Sequence, residues 1–179
     1  MATIFIPEAM NIFVGTDANA SKHLSITENT LPILEEKTVE HHAGGSIGAL
    51  EIGGLGLQAL TQGFNLSGYD PQVMGQFGAV GANNNQAFTT YGVIRDKQGN
   101  APIELRAVVW GRLTKLQKST FKRGDLANQT HEIKEITHYE LFWNGGELYF
   151  YDFYSSQWRI NGVDQNQAVN AILRIPGAG

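Results

Sequence analysis

Ile103-Glu104-Leu105-Arg106-Ala107-Val108-Val109-Trp110-Gly111-Arg112-Leu113 alternates side-chain character with the two-residue period of a β-strand. Ile103, Leu105, Ala107, Val109 and Leu113 share one face, and Glu104, Arg106, Val108, Trp110, Arg112 and Thr114 share the other. A second stretch with this period runs from His131 to Trp143. It places Ile133, Tyr139, Leu141 and Trp143 on one side and Glu132, Lys134, Ile136, His138, Glu140 and Phe142 on the other. The two stretches are predicted to pair as a long hairpin. Between them Lys118-Ser119-Thr120-Phe121-Lys122-Arg123-Gly124-Asp125 is too polar for a core and is expected to form a projecting tip. Asn144-Gly145-Gly146 then supplies residues that tolerate positive φ, so Glu147 to Asp152 should fold back and complete a three-stranded meander.

Outward from this meander, β-branched and aromatic residues between turn formers predict strands at Met10 to Gly15, His23 to Thr27, Lys37 to His42, Leu57 to Leu66 and Ala87 to Arg95. Helix signals are few. Asp70 is placed to cap a short helix with Pro71 at its first position, Val73 and Phe77 stacked one turn apart, and Gly78 as terminator. A second short helix is expected after Asp164, with Ala168 and Ile172 on one side. The expectation is a mainly β protein, a β-sandwich or β-barrel with one flanking short α-helix. Residues 1–179 make a single domain with an N-terminal arm and a C-terminal extension.

Composition narrows the function. The chain is 42% hydrophobic and only 17% charged, which suggests surface that ends against a partner. Cysteine is absent, which removes disulfides, thiolate metal sites and cysteine nucleophiles. The N-terminus lacks the pattern of a secretory signal, and no apolar run is long enough to span a bilayer, so cytoplasmic synthesis and no membrane insertion are expected. With 13 Lys and Arg against 17 Asp and Glu, scattered along the chain, tight binding to nucleic-acid phosphates is disfavoured.

No catalytic, metal or cofactor constellation emerges. His41 and His42 are adjacent on a predicted strand and point to opposite faces, while His23, His131 and His138 lack ligand spacing and read as strand-surface residues. The glycine-rich run Gly44 to Gly56 has no Lys-Ser/Thr and no following long helix, so it is not a phosphate loop. Its Ile47, Leu50, Ile52, Leu55 and Leu57 make a flexible apolar loop that needs a cover, and a subunit interface supplies one. The carboxylates Glu35, Glu36, Glu132, Glu135 and Glu140 read as solvated charge, and the aromatic residues from Trp143 to Trp158 as core or interface. The rival reading of that aromatic cluster is a small-ligand pocket in a β-barrel.

With these residues laid out, the chain resembles the major tail tube proteins of contractile-tailed bacteriophages and the tube proteins of R-type phage-tail-like bacteriocins. The likeness rests on Met10-Asn11-Ile12-Phe13-Val14-Gly15, on Leu31-Pro32-Ile33-Leu34-Glu35-Glu36-Lys37 leading into His41-His42-Ala43-Gly44-Gly45, and on Ile160-Asn161-Gly162-Val163-Asp164. It departs from the family after Asp164. Members continue into a charged stretch, whereas this chain runs Gln165-Asn166-Gln167-Ala168-Val169-Asn170-Ala171-Ile172-Leu173-Arg174-Ile175-Pro176.

The resemblance implies a structural subunit with no enzymatic activity and no cofactor. Two packed sheets with a flanking helix would form hexameric rings that stack into a hollow tube within a contractile sheath. The implied partners are copies of itself, the tail sheath protein, and baseplate and tail terminator proteins, with phage DNA passing through without specific binding. The implied location is the virion tail, assembled in the host bacterial cytoplasm. The same resemblance fits the alternative reading, the tube of a DNA-free phage-tail-like bacteriocin or related contractile injection system.

On that reading, the apolar loop, with Ile47, Leu50, Ile52, Leu55 and Leu57, and the N-terminal arm, with Ile4, Phe5, Ile6 and Met10, are the expected inter-ring contacts. A lumen that conducts DNA should carry little positive charge. Its candidate faces are that of Glu104 and Arg106 and that of Glu132, Lys134, His138 and Glu140.

Overall fold

A computed structural model describes residues 3–15, 20–79, 85–99 and 101–175. In chain order the elements are β1 (Phe5–Val14), β2 (Ile26–Thr30), β3 (Val39–His41), β4 (Leu50–Ile52), β5 (Gln62–Ser67), α1 (Pro71–Met74), β6 (Gln86–Asp96), β7 (Pro102–Lys118), β8 (Asn128–Trp143), β9 (Gly146–Asp152), β10 (Gln157–Ile160), β11 (Val163–Asp164) and α2 (Gln167–Leu173). The protein is mainly β, as its sequence predicts. Nine strands form one antiparallel sheet in the order β1-β6-β7-β8-β9-β10-β11, with β5 also on β8 and β2 beyond β5. β3 and β4 pair only with each other.

β7 and β8 form the long hairpin, and the alternation in their sequences sets its register. Val109 faces Tyr139 and Ala107 faces Leu141, while Val108 faces Glu140 and Trp110 faces His138 on the opposite side. At the end of β8, Asn144 (φ 49°) and Gly145 (φ 82°) take the left-handed conformations of a two-residue hairpin turn, and β9 returns with Gly146 opposite Trp143. The meander thus forms as predicted.

The sheet forks on β8. One edge of this strand is taken by β7, and the other is shared: β5 pairs with Asn128 through Ile133, and β9 with His138 through Trp143. Residues between these segments bulge. Trp110 faces His138 and Arg112 faces Lys134, so Gly111 alone on β7 stands against Glu135, Ile136 and Thr137 on β8. Glu135 adopts φ 52° to make the step. Gly111 is required by the crowding there, because a Cβ on it would lie 2.8 Å from Ile133 Cγ2, 3.0 Å from the Lys134 carbonyl oxygen and 3.1 Å from Ile136 Cγ1.

The fork lets the β2–β5 arm fold over β1, β6 and β7 and close the core between them. Phe64 of β5 meets Phe88 of β6 with ring centroids 6.4 Å apart, and Ile12, Val14, Leu66, Val109, Leu113, Ile133 and Tyr139 fill the space around them. α1 seals one end. Asp70 caps it by accepting from the Gln72 and Val73 amides, Pro71 opens it, and Val73 is fully buried. The Asp70 carboxylate also takes a 2.7 Å ion pair from the largely buried Lys22, tying the segment after β1 to the helix.

Several expectations are corrected. Ile136, assigned to the polar face of β8, is buried, because the bulge turns it inward and then restores the original alternation at Tyr139. His131 is not a surface residue. It is fully buried beside Gln129 and stacks on Phe64 at 4.6 Å with the rings 6° from parallel. Phe77 is half exposed and does not share the buried place of Val73, and α1 ends at Met74. Ala168 and Ile172 of α2 are exposed, and the residue that seats this helix is Asn170, which donates to the Ser156 carbonyl at 2.8 Å. Pro176 lies outside the described residues.

Two tests follow from the core. Gly111→Ala forces the bulge to shift and should lower stability by about 1–3 kcal/mol, measured by denaturant titration of the unassembled protein. Burial holds the His131 imidazole below its ordinary value of 6.5. Above pH 6.5 neither state carries the proton. Below it the unfolded chain protonates first, so stability falls with pH by up to about 1.4 kcal/mol per unit. Subtracting the stability curve of His131→Leu from that of the parent between pH 4 and 8 should isolate this slope.

Candidate assembly interface

Two surfaces carry the residues singled out above. The first is the β3–β4 hairpin. Glu36 and Leu57 form the bridge at its base, where the Lys37 amide donates to the Gly56 carbonyl and the Gln58 amide to the Glu35 carbonyl, both at 2.8 Å. Gly54 (φ 78°) and Gly56 (φ 93°) shape the returning limb. The segment read as a flexible loop is therefore partly an ordered arm, although it pairs with no strand of the main sheet.

Every residue of β3 and β4 is exposed. Leu50, Ile52 and Leu55 present apolar surface, Ile47 at the turn is fully exposed, and Leu57 at the base is half-buried. An isolated two-stranded hairpin is marginal in water, so apolar surface of this kind calls for a cover. Beside the base, Glu36, Gly54 and Leu57 join Tyr151, Asp152 and Trp158 around a cleft of about 480 Å³.

The N-terminal residues occupy a different place. Phe5 through Val14 is an edge strand that pairs with β6 along its length, not a free arm. Phe5 packs edge-on against Trp143 at 5.3 Å, Met10 is half-buried, and Ile4 and Ile6 are exposed. Pro7 and a register shift between Pro7 and Ala9 interrupt this edge, and Glu8 there pairs with Arg95 at 2.7 Å.

The second surface is the outward face of β7–β8–β9–β10. Arg106 stands opposite Phe142 and lies over its ring at 4.2 Å, and Glu140 stands opposite Val108. His138 lies between two carboxylates, 3.2 Å from Glu140 and 3.1 Å from Asp152. The two faces proposed separately for the hairpin are thus one continuous face in its distal half. Glu104 lies further along β7, exposed, and Glu132 and Lys134 pair at 2.9 Å beyond the bulge.

Sequence reading missed three charged members of this face. Arg159 on β10 forms a two-pronged bond with Glu147 at 3.0 and 2.7 Å and covers the Phe150 ring at 3.5 Å. The Arg159 guanidinium holds the Glu147 carboxyl below its usual value. Burial alone would raise the Asp152 carboxyl, but the Ser155 amide and hydroxyl and His138 outweigh it and keep it low. The signal present in the sequence, the Asn161-Gly162 turn, joins β10 to β11 and sets Arg159 opposite Asp164, whereas the turn over residues 153–156 sets it opposite Phe150. Arg112 and Lys115 stand opposite Lys134 and Glu132, and Asp164 opposite Arg159, so Glu104, Glu132, Glu140, Glu147, Asp152 and Asp164 meet Arg106, Arg112, Lys115, Lys134 and Arg159, six acids against five permanent cations, and the face is close to balanced.

No group of three or more potential ligands stands close enough to hold a metal among the described residues, and no helix among them is long and apolar enough to cross a membrane. Such surfaces suit docking better than chemistry. In solved structures the fold recurs in the extended-state sheath–tube complex of PVC, an extracellular contractile injection system. That match has 12% identity over 75% of this chain and 88% of the other, with a TM-score of 0.52. A chain of the sheath/tube terminator of the same system in its extended state is similar at 12% identity over 75% and 92% of the respective chains, with a TM-score of 0.51. No curated protein matches the sequence significantly. The family model of the phage tail tube protein FII matches residues 8–173. That match spans every element from the edge strand to α2, and by it this chain belongs to the phage tail tube protein FII family, whose members are structural tube proteins and not enzymes.

Proposed function

We propose that this tube protein forms hexameric rings that stack into the hollow inner tube of a contractile tail, a conduit for DNA ejection into a host bacterium. The family match over residues 8–173 carries this reading. The outer edges of β1, β2 and β11 have no strand partner among the described residues, which supports ring closure through sheet edges of neighbouring copies. Layers then stack through the exposed β3–β4 arm, with Ile47, Leu50, Ile52, Leu55 and Leu57 packing on the adjacent ring together with Ile4, Phe5, Ile6 and Met10.

Apolar burial at roughly 25 cal/mol per Å² in every subunit would hold such a polymer together. The tube lies within its sheath, ends on baseplate and terminator proteins, and is assembled in the host cytoplasm. The face of Glu104, Glu132, Glu140, Glu147 and Asp152, whose cations are offset by neighbouring carboxylates, suits a wall along which DNA slides without being held. A DNA-free injection apparatus is the second reading, favoured by the fold shared with the PVC complex.

Negative-stain microscopy of the purified protein should show rings or hollow filaments. Leu50→Asp with Leu55→Asp should abolish the filaments while leaving the circular dichroism of the subunit unchanged, and filaments that persist would remove the arm from the stacking contact. Glu104, Glu132 and Glu140 changed together to Lys should slow DNA passage at low salt, and faster passage would rule out this face as a repulsive wall.

A further inference from the structure

The charges of the chain are distributed unevenly between its two projecting hairpins. Residues 35–57, which contain the β3–β4 arm, hold Glu35, Glu36, Glu40 and Glu51 against Lys37, a net of −3. Residues 115–126, the β7–β8 tip, hold Lys115, Lys118, Lys122 and Arg123 against Asp125, a net of +3. The tip gathers four of the 13 basic residues of a chain whose overall charge is −4.

Both ends are incomplete in the isolated subunit. Glu40 and Glu51 stand directly opposite each other across β3 and β4, a like-charge pair that weakens a ladder of only three residue pairs. Neither carboxylate has an ion-pair partner among the described residues, and neither do Lys115, Lys118 and Arg123 at the tip. Each end also bears uncovered apolar side chains: Leu50 and Ile52 on the arm, and Phe121 (82% exposed) and Leu126 (73% exposed) on the tip.

The two ends are rooted apart in the molecule. The tip is fastened to the Asn128 end of β8, where the Gly68 amide bonds the Ala127 carbonyl and Ser67 bonds Asn128. The arm is rooted beside Asp152 and Trp158, and Asp152 pairs with His138. Ten positions of β8 separate Asn128 from His138, roughly 27 Å at the usual strand rise once the two extra residues of the bulge are left out. No cation of the same molecule pairs with Glu40 or Glu51 among the described residues, and a second copy carries a matching basic tip.

We infer that the basic β7–β8 tip of one subunit docks on the acidic β3–β4 arm of a neighbouring copy, with Lys118 and Arg123 facing Glu40 and Glu51 and Phe121 covering the aliphatic side chains. The inference rests on the tube reading and names the contact that joins one copy to the next. Because the two surfaces differ, the contact is heterologous and repeats without closing on a pair.

Charge reversal tests it, with assembly followed by sedimentation and electron microscopy. Arm-reversed protein (Glu40→Lys, Glu51→Lys) and tip-reversed protein (Lys118→Glu, Arg123→Glu) should each need at least about tenfold higher concentration to assemble, since like charges then face each other. Mixing the two should restore assembly, because each supplies the partner that the other lost. Misfolding of either variant cannot produce that rescue.

Parent tubes alongside variants that assemble normally, or that fail to rescue each other when mixed, would overturn the pairing and leave the tube reading intact. A parent that never forms rings or tubes would overturn both. A tip-reversed protein that assembles normally but loses binding to purified sheath protein would give the tip to the sheath and overturn the pairing.

Discussion

The structure depends on one strand serving three neighbours. β8 holds β7 on one edge and divides the other between β5 and β9, and the division is possible only where its backbone swells between Lys134 and His138. The absent side chain at Gly111 provides the room. From that fork one arm closes the hydrophobic core and the other carries the charged outward face. Core and working surface are thus built on opposite sides of one continuous ladder.

The interior beneath the fork is unusually polar for a core of this size. Gln62, Gln129 and His131 line β5 and β8, and Gln62 reaches Asn29 at 2.9 Å and Thr90 at 3.5 Å across the fold. These bonds cross-link β2, β5 and β6, and the direction of an amide bond specifies register more sharply than apolar contact does. Burial of the His131 ring favours its neutral form and ties the integrity of this layer to pH.

What the sequence made legible followed from local rules. Period-two alternation placed Val109, Leu113, Ile133 and Tyr139 inward, Asn144-Gly145 fixed the hairpin, and Asp70-Pro71 opened the helix. What it hid came from tertiary context. The bulge at Glu135 enters and leaves in register, so the alternation on either side of Ile136 agrees and conceals the step. His131 looked like a surface residue because its burial has no local signature. The glycines around the β3–β4 arm masked a short ladder, and pairing with β6, eighty residues away, turned the apparent N-terminal arm into an edge strand. Of the lumen candidates, Arg106, His138 and Glu140 proved to be neighbours on one face, since residues directly opposite each other on paired strands point the same way.

The projecting arm and the polar tip leave the molecule at different places along β8, the tip at Asn128 and the arm beside the partner of His138. A filament joined through such ends has a direction. One terminus displays vacant arms and the other vacant tips, so initiation and capping are different recognition problems that one protein cannot solve with a single surface. In such a filament, growth, length control and the choice of which end leads would follow from the asymmetry of the building block.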